Sequence, residues 1–412
     1  MKGGAHRMPS QAALAILLTL VAVAVRLPFV LSAPAPTSDA ADYLRLALGV
    51  RNGLGFVSPS GEPTAFRPPL YPLFLAGLGA EPRVAVAVQL VLGALNCLLV
   101  VRLGMRLLGR GAAPWVAGAL LAVDPVHAAA CARLLSETLF ESLLLVTLLA
   151  LGPDTGRRRW ALGGVCAGLA LLTRAAGLPA VALVAAWAWA RHPARGRAAA
   201  AFLTCAALTT LPWLARNTIV MGAPVLTTQG GITLYSSYRP PEGKIFGTLV
   251  FDDEVAQAQR SGEVGADRRL RRAALELAAA HPLETLRLAL LKACFFWAPI
   301  DWEIVTPPGR ISPVYLFALP LAAWGAWREP TRFALPVVLF TGLTAFSAAV
   351  YGSPRLRLPY EFLLHLMAAA TVVRRPRHPL LWAWAGVCAA LWFAGSLPKR
   401  ALRAAAAALG LW

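Results

Sequence analysis

Long apolar runs separated by short polar connections fill most of the chain. Runs long enough, or nearly long enough, to cross a bilayer as helices lie at about 12–32, 83–101, 113–131, 134–152, 160–173, 177–190, 198–214, 312–327, 333–351, 359–373 and 379–397. This pattern predicts an all-α polytopic membrane protein with about eleven transmembrane helices. Several runs are short, which predicts that some helices tilt or break near a site.

Basic residues between the runs predict the orientation of these helices. If the N-terminus is cytoplasmic, every cytoplasmic connection contains arginine, as the positive-inside rule requires. These connections contain Arg102, Arg106 and Arg110; Arg157, Arg158 and Arg159; Arg191, Arg195 and Arg197; Arg328 and Arg332; and Arg374, Arg375 and Arg377. The tail residues Lys399, Arg400 and Arg403 do not fit this orientation, because the number of predicted spans before them places them on the external side. We expect a multi-pass plasma-membrane protein with an uncleaved first span and its active site on the external face.

The polar stretches divide the chain into three parts. We expect an N-terminal transmembrane catalytic module at 1–214 with its first external loop at 34–82, an external segment at 215–311, and a C-terminal transmembrane module at 312–412.

The external segment itself changes character along its length. Residues 218–251 are rich in Gly, Thr, Tyr and Pro and predict irregular or short-stranded structure, whereas 253–280 predicts a polar helix. Residues 283–297 carry Glu284, Arg287 and Lys292 on an apolar pattern, which predicts a helix in the membrane interface.

The first external loop contains the strongest candidate chemistry. Helical spacing of apolar residues predicts a short helix from Asp39 to Val50, with Asp39, Asp42 and Tyr43 on one face. Asp39 lies in the first turn, where the helix dipole favours a charged carboxylate. The loop then returns through Arg67 and Tyr71, which brings a cation and a phenol towards the same surface.

Composition supports a membrane protein and excludes other classes. Hydrophobic residues make up 58% of the chain, charged residues only 14%, and the mean hydropathy is +0.61. The net charge of +19 is spread in short groups between apolar runs, so it indicates the positive-inside bias and not nucleic-acid binding. The six cysteines and six histidines are dispersed, which predicts no disulfide framework and no metal cluster; a divalent metal stays open.

Several short motifs occur in a fixed order along the chain. They are Asp39 four before Tyr43, Gly53-Leu54-Gly55-Phe56, Arg67-Pro68-Pro69-Leu70-Tyr71-Pro72, Ser136-Glu137-Thr138-Leu139-Phe140, Leu172-Thr173-Arg174, Pro212-Trp213-Leu214-Ala215-Arg216-Asn217 and Arg355-Leu356-Arg357-Leu358-Pro359. In this order the chain resembles the polyprenyl-phosphate-sugar glycosyltransferases of the C-type membrane fold. The protein O-mannosyltransferases and the lipid A aminoarabinose transferases are the most similar in pattern.

The resemblance implies roles for individual residues. Asp39 is expected to take the proton of the acceptor hydroxyl, and Asp42 to share this role, because relatives often have a second acid where this chain has Ala40. The cations expected at the donor phosphate are Arg67, Arg174, Arg216, Arg355 and Arg357. The alternative is that these residues have no role in chemistry. The acids would then only solvate a surface helix, and each arginine would only extend to lipid headgroups.

Weaker candidates complete the predicted site. Glu137 is expected at the edge of the catalytic cavity, and Tyr71 and Asn217 are expected to help position the donor. His127 and Trp213 are expected to be membrane-interface residues.

The sequence thus predicts an inverting glycosyltransferase that moves a monosaccharide from a polyprenyl-phosphate carrier to an acceptor hydroxyl on a lipid, glycan or protein. Its expected partners are the lipid-linked donor and membrane lipids, with no nucleic acid. The main alternative is a lipid or glycan transporter or flippase; the absence of a visible internal repeat and the position of the acids outside the bilayer midplane disfavour it. A non-catalytic scaffold or a ligase of preassembled glycans is a third possibility.

Overall fold

The computed structural model describes residues 10–151, 156–191, 195–239, 249–299, 312–374 and 379–393. These ranges are largely helical, and the β-structure within them is a single isolated bridge between Val57 and Pro63. The basic tail residues Lys399, Arg400 and Arg403 lie outside the described residues.

Nineteen α-helices are present in the described ranges. The first ten are α1 (Gln11–Leu31), α2 (Asp39–Arg51), α3 (Leu70–Gly77), α4 (Pro82–Leu108), α5 (Ala112–Val123), α6 (Pro125–Cys131), α7 (Glu137–Ala150), α8 (Arg157–Thr173), α9 (Leu178–Arg191) and α10 (Arg195–Met221). The others are α11 (Gln229–Tyr238), α12 (Asp253–Gln259), α13 (Gly262–Ala280), α14 (Pro282–Phe296), α15 (Pro313–Arg328), α16 (Ala334–Ala349), α17 (Pro354–Arg357), α18 (Glu361–Arg374) and α19 (Pro379–Phe393).

Every predicted apolar run coincides with one of these helices. By length and composition, four helical stretches of the described chain can cross a bilayer alone: Gln11–Leu31, Pro82–Leu108, Gly196–Met221 and Pro354–Arg374. The bent pair α5 and α6 makes a fifth. The prediction of an all-helical membrane protein agrees with this architecture, while the number of about eleven crossings stays a prediction.

The run predicted at 113–131 is not one straight helix. It bends by 59° between α5 and α6, at Asp124 and Pro125. Pro125 has no N–H to bond the carbonyl of Leu121, so the helix breaks there. The buried guanidinium of Arg26 replaces the lost donors, because Nη2 lies 3.1 Å from the Leu121 oxygen and Nη1 lies 2.9 Å from the Ala122 oxygen.

The external segment is more helical than its composition predicts. Within 218–251, where irregular or short-stranded structure was expected, α11 packs against α13. The close approach requires Gly231, since a Cβ there would lie 2.2 Å from the Asp267 carbonyl oxygen. The predicted polar helix at 253–280 is interrupted at Arg260 and Ser261, which separates α12 from α13.

Helix α14 matches the predicted interface helix in its bounds but not in all its side chains. Leu283, Leu286 and Leu290 are exposed, as an interfacial face requires. Lys292, by contrast, is fully buried, and its Nζ lies 4.2 Å from the centre of the Tyr238 ring. This lysine therefore joins α14 to α11 and does not extend into the interface.

Candidate active site

A large cavity lies where the first external loop meets the external segment. Its volume is about 2470 Å³. Asp39, Asp42, Arg67, Arg174 and Arg355 all line it. The loop, the end of α8 and the start of α17 supply these residues, so the structure brings together five of the ten candidate site residues that were named from sequence.

The charged residues of this site form a continuous chain of ion pairs. In order they are Arg174, Glu137, Arg355, Asp39, Arg67, Asp42 and Arg45. Four guanidinium groups alternate with three carboxylates in this chain, so it carries one excess positive charge. A cavity with this lining favours an anionic ligand.

Asp39 is held by an arginine on each side. Its Oδ1 lies 2.6 Å from Nη2 of Arg67, and its Oδ2 lies 2.7 Å from Nη1 of Arg355. Burial alone would raise the pKa of Asp39, but the charges of Arg67 and Arg355 outweigh it and lower the pKa to about 2. The carboxylate therefore stays ionised at physiological pH.

The backbone just before Asp39 is strained. Ser38 occupies the N-cap position of α2, but its φ is +49° and its side chain makes no capping hydrogen bond. A positive φ at a residue with a Cβ costs about 1–3 kcal/mol. The ion pairs of Asp39 hold the start of α2 in place against this strain.

Glu137 lies below the cavity and joins two of its arginines. The side chain is 2% exposed. Its Oε1 lies 2.6 Å from Nη1 of Arg174 and also accepts a hydrogen bond from Nε of Arg355. Glu137 thus fixes the positions of both cations without lining the cavity itself.

Arg67 and Arg174 differ in the donors that they leave for a ligand. All three nitrogens of Arg67 are bonded to side chains, at Asp39, Asp42 and Gln229. Among the described residues, Arg174 donates only through Nη1, so its Nε and Nη2 remain for an anion in the cavity. Arg174 therefore keeps donors that face the cavity, whereas the side-chain nitrogens of Arg67 are bonded to protein side chains.

Two predicted site residues, Arg216 and Asn217, lie near the end of α10 and do not line the cavity. Arg216 donates to the carbonyl oxygens of Phe56 and Thr64, each at 3.0 Å. Asn217 is buried and donates to the Val225 oxygen at 2.7 Å. Their described contacts hold the first external loop and the chain after α10 together.

Arg357 and Tyr71 also lie outside the cavity lining. The Arg357 guanidinium is buried, with Nε 2.7 Å from Oε1 of Glu361 and the cation 3.8 Å from the centre of the Tyr315 ring. Tyr71 is fully buried and donates to Oε1 of Gln89 at 2.6 Å. Both side chains therefore contact protein groups where donor contacts were expected.

The structure corrects two predictions of membrane-interface residues. His127 is 4% exposed and lies inside the protein, with Nδ1 3.6 Å from Oε2 of Glu141. Trp213 is 7% exposed, packs edge-on against Phe56, and donates its indole N–H to the Leu226 oxygen. Both side chains are packed against protein, so the expectation of an interfacial position is wrong.

Sequence reasoning missed two residues that connect the external helices to the first loop. Gln229, at the start of α11, accepts a hydrogen bond from Arg67 at 3.1 Å. Glu263, in α13, accepts from the backbone N–H of Ala65 at 2.8 Å and from the Thr228 hydroxyl. Neither residue belongs to a motif, and both pairings depend on how α11 and α13 fold back over the loop.

Sequence reasoning also missed a buried polar cluster. Asp124, His127 and Glu361 place ligand-type atoms within 4.8 Å of one another, although the dispersed histidines predicted no metal cluster. Ionisable residues inside apolar runs were the available signal, since such residues are usually paired or functional.

Comparison with known proteins gives structural neighbours only. No protein-family model matches the chain. No curated protein sequence matches it either. The solved structures that resemble it include ArnT from Cupriavidus metallidurans bound to undecaprenyl phosphate (14% identity, TM-score 0.41, covering 89% of this chain and 79% of that one). The apo state of the same protein is also similar (14% identity, TM-score 0.42, covering 88% and 78%).

TM-scores below 0.5 are too low to transfer residues or a reaction from these structures.

Proposed function

We propose that this chain is an inverting glycosyltransferase that transfers a monosaccharide from a polyprenyl-phosphate carrier to an acceptor hydroxyl at the outer face of the plasma membrane. The observation that carries the proposal is the pairing of Asp39 with Arg67 and Arg355 in a cavity that Arg174 also lines. A carboxylate to accept a proton and cations to hold a phosphate are the two requirements of this reaction.

The reaction is a single displacement at the anomeric carbon. The acceptor oxygen attacks from the face opposite the phosphate, and its bond to carbon forms as the carbon–oxygen bond to the phosphate breaks. Asp39 takes the hydroxyl proton, and polyprenyl phosphate leaves with the electron pair. Arg174 and Arg355 stabilise the negative charge that develops on this leaving group, because their positions are already fixed by Glu137.

Donor binding would strengthen Asp39 as a base. In the free protein the pKa of Asp39 is about 2, which suits a stable anion but makes a weak base. A donor phosphate that shares Arg355 adds negative charge beside the carboxylate and draws away part of its hydrogen bonding, and both effects raise the pKa. Proton transfer would then be favoured only when donor is present.

The cavity lining also suits a donor with a lipid chain. Val30 and Leu31 at the end of α1, and Val86 near the start of α4, give it an apolar wall beside the charged residues. An amphipathic substrate can place its isoprenoid chain on such a wall while its phosphate reaches the arginines. Undecaprenyl phosphate, named for one similar structure, belongs to the proposed class of lipid.

The test uses the full chain purified in detergent and a panel of synthetic polyprenyl-phosphate monosaccharides, both pentoses and hexoses. We expect release of polyprenyl phosphate, by transfer to an added acceptor or by slow hydrolysis, from at least one donor. The Asp39→Asn variant is the matched control and should release much less. Movement of the intact lipid across proteoliposomes with no bond cleavage from any donor would refute the proposal and favour a flippase.

A further inference from the structure

Four buried side chains meet where the bend between α5 and α6 packs against α18. They are Asp124 (0% exposed), His127 (4%), Glu361 (3%) and His365 (0%). Residues this polar are rarely buried unless they are paired, hydrogen-bonded or bound to a metal. The cluster lies apart from the charged cavity, whose lining includes none of the four.

Donor atoms in this cluster lack hydrogen-bond partners. Within the described residues, none is found for Oδ2 of Asp124, Nε2 of His127, or either ring nitrogen of His365. These atoms face one another: Nε2 of His127 lies 3.6 Å from Oε2 of Glu361, and Nε2 of His365 lies 3.8 Å from Oδ2 of Asp124. Such distances are too long for hydrogen bonds.

The same distances are close to those between ligands of one metal ion. In a tetrahedral zinc site with bonds of about 2.0 Å, neighbouring ligand atoms lie about 3.3 Å apart. Asp124, His127 and Glu361 already place their ligand atoms within 4.8 Å of one another. His365 lies outside this group of three and is added to it through its 3.8 Å approach to Asp124. The ligand atoms would have to move closer together when an ion binds.

The surroundings of His127 match a second feature of metal sites. A metal-bound histidine usually turns its other ring nitrogen to a carboxylate, which fixes the ring and raises its basicity. His127 is oriented in this way, because Nδ1 faces Oε2 of Glu141 at 3.6 Å while Nε2 faces Glu361. Glu141 is in turn held by the amide of Asn96 at 3.1 Å.

The charge of the cluster also favours a bound cation. Asp124, Glu141 and Glu361 supply three carboxylates, and Arg357, paired with Glu361, supplies one positive charge against them. Arg26, which is also buried, hydrogen-bonds carbonyl oxygens at the bend. If both imidazoles are neutral, the three carboxylates and two guanidinium groups together carry one net negative charge. Burying an uncompensated charge is strongly unfavourable.

We propose that Asp124, His127, Glu361 and His365 bind a structural zinc ion. Two imidazole nitrogens and two carboxylate oxygens are ligands that zinc accepts, and four protein ligands in a closed, buried site are typical of structural zinc. The ion joins the bend at Pro125 to α18. Because α18 directly follows the short segment that carries Arg355, the ion also anchors one wall of the cavity.

The first experiment measures zinc in the full chain, expressed with zinc and purified in detergent without chelator. We expect about one zinc ion per chain. His127→Gln and His365→Leu should lose most of it, whereas His281→Gln, which changes an exposed histidine at the start of α14, should keep it. No zinc in the unaltered protein, or equal zinc in all three variants, would overturn the proposal.

The second experiment measures whether His365→Leu raises or lowers the melting temperature, and it needs no activity assay. Without a metal, His365→Leu removes two unpaired buried nitrogens and should leave the melting temperature unchanged or raise it. With a bound zinc ion, it removes a ligand and should lower the melting temperature by several degrees. A chelator during heating should erase the difference between the two proteins. A His365→Leu protein at least as stable as the unaltered one in zinc would overturn the proposal, whatever the outcome of the donor assay.

Discussion

Nη1 of Arg355 lies 2.7 Å from Oδ2 of Asp39, although 316 positions separate the two residues in the chain. Asp39 begins α2 in the first external loop, and Arg355 lies in the short helix α17, directly before α18. The ion pair joins the first external loop to the C-terminal part of the chain at the cavity. It also makes the ionisation of the proposed base depend on a proposed phosphate ligand.

Asp39→Asn should lower turnover by about 10²–10⁴-fold, the usual effect of removing a general base. Donor binding should survive, because asparagine keeps the shape of the side chain and Arg174 remains in place. The measurement is sugar transfer at saturating donor. Asp42→Asn is the comparison and should have a smaller effect, since Asp42 bonds Arg45 and Arg67 and has no contact with Arg355 among the described ones. A larger defect in Asp42→Asn would move the role of base to that residue.

The stability of the protein should depend on the ionisation of Asp39 at low pH. Its pKa falls from 3.8 to about 2 on folding, so this carboxylate adds stability above pH 4 that is lost as the pH falls through the folded value. The side chain is 30% exposed, so we expect a contribution on the order of 1–2 kcal/mol. Unfolding of the unaltered protein should therefore become easier between about pH 4 and pH 2 by more than that of Asp39→Asn. Parallel pH curves for the two proteins would contradict the ion pairs described.

Donor affinity should depend on the arginines that line the cavity. We expect Arg174→Ala and Arg355→Ala each to weaken binding of polyprenyl phosphate by about 1.5–3 kcal/mol, the worth of a charge-assisted hydrogen bond. Arg328→Ala is the control: this arginine ends α15 and contacts the rings of Trp324 and Trp327. Titration of the labelled lipid into purified protein measures all three. Equal effects would mean that the two cavity arginines are ordinary interface residues.

Arg357 should matter for stability and not directly for the donor. Arg357→Leu breaks a buried pair with Glu361, which typically destabilises a protein by about 3–5 kcal/mol. The matched change Arg374→Leu breaks an exposed pair with Glu329 and should have an effect below about 1 kcal/mol. Thermal unfolding in detergent separates the two variants. A stable Arg357→Leu protein with weak donor binding would restore Arg357 to the phosphate site.

Labelling with an impermeant thiol reagent tests which face the loops occupy. A cysteine placed at Ser60, which is exposed in the first external loop, should react from outside the cell. One placed at Thr155, in a connection predicted to be cytoplasmic, should react only after the membrane is opened. Both changes belong in a Cys294→Ala background, because Cys294 is an exposed native cysteine. The opposite pattern would invert the predicted topology.

The sequence by itself determined where the helices lie. Apolar runs, N-cap residues and Gly or Pro stops are local signals, and they located α2 and α14 to within one residue at each end. The long apolar helices were also located, although α4 and α10 each end seven residues beyond the predicted run. The same local signals failed at Asp124-Pro125, where a continuous apolar run predicted one straight span and the structure has a bend. They also failed at α11, whose Gly-rich composition predicts a loop but allows close packing on α13.

Only the tertiary structure decided which polar residues meet. Sequence placed Arg355 and Arg357 two positions apart with the same expected role, yet one lines the cavity and the other is buried beside Glu361. The dispersed histidines predicted no metal cluster, yet His127 lies beside Glu361 across the packing of distant helices. The reason is physical: helix formation depends on neighbours a few residues apart, whereas the contacts of a buried charge depend on which helix faces pack together.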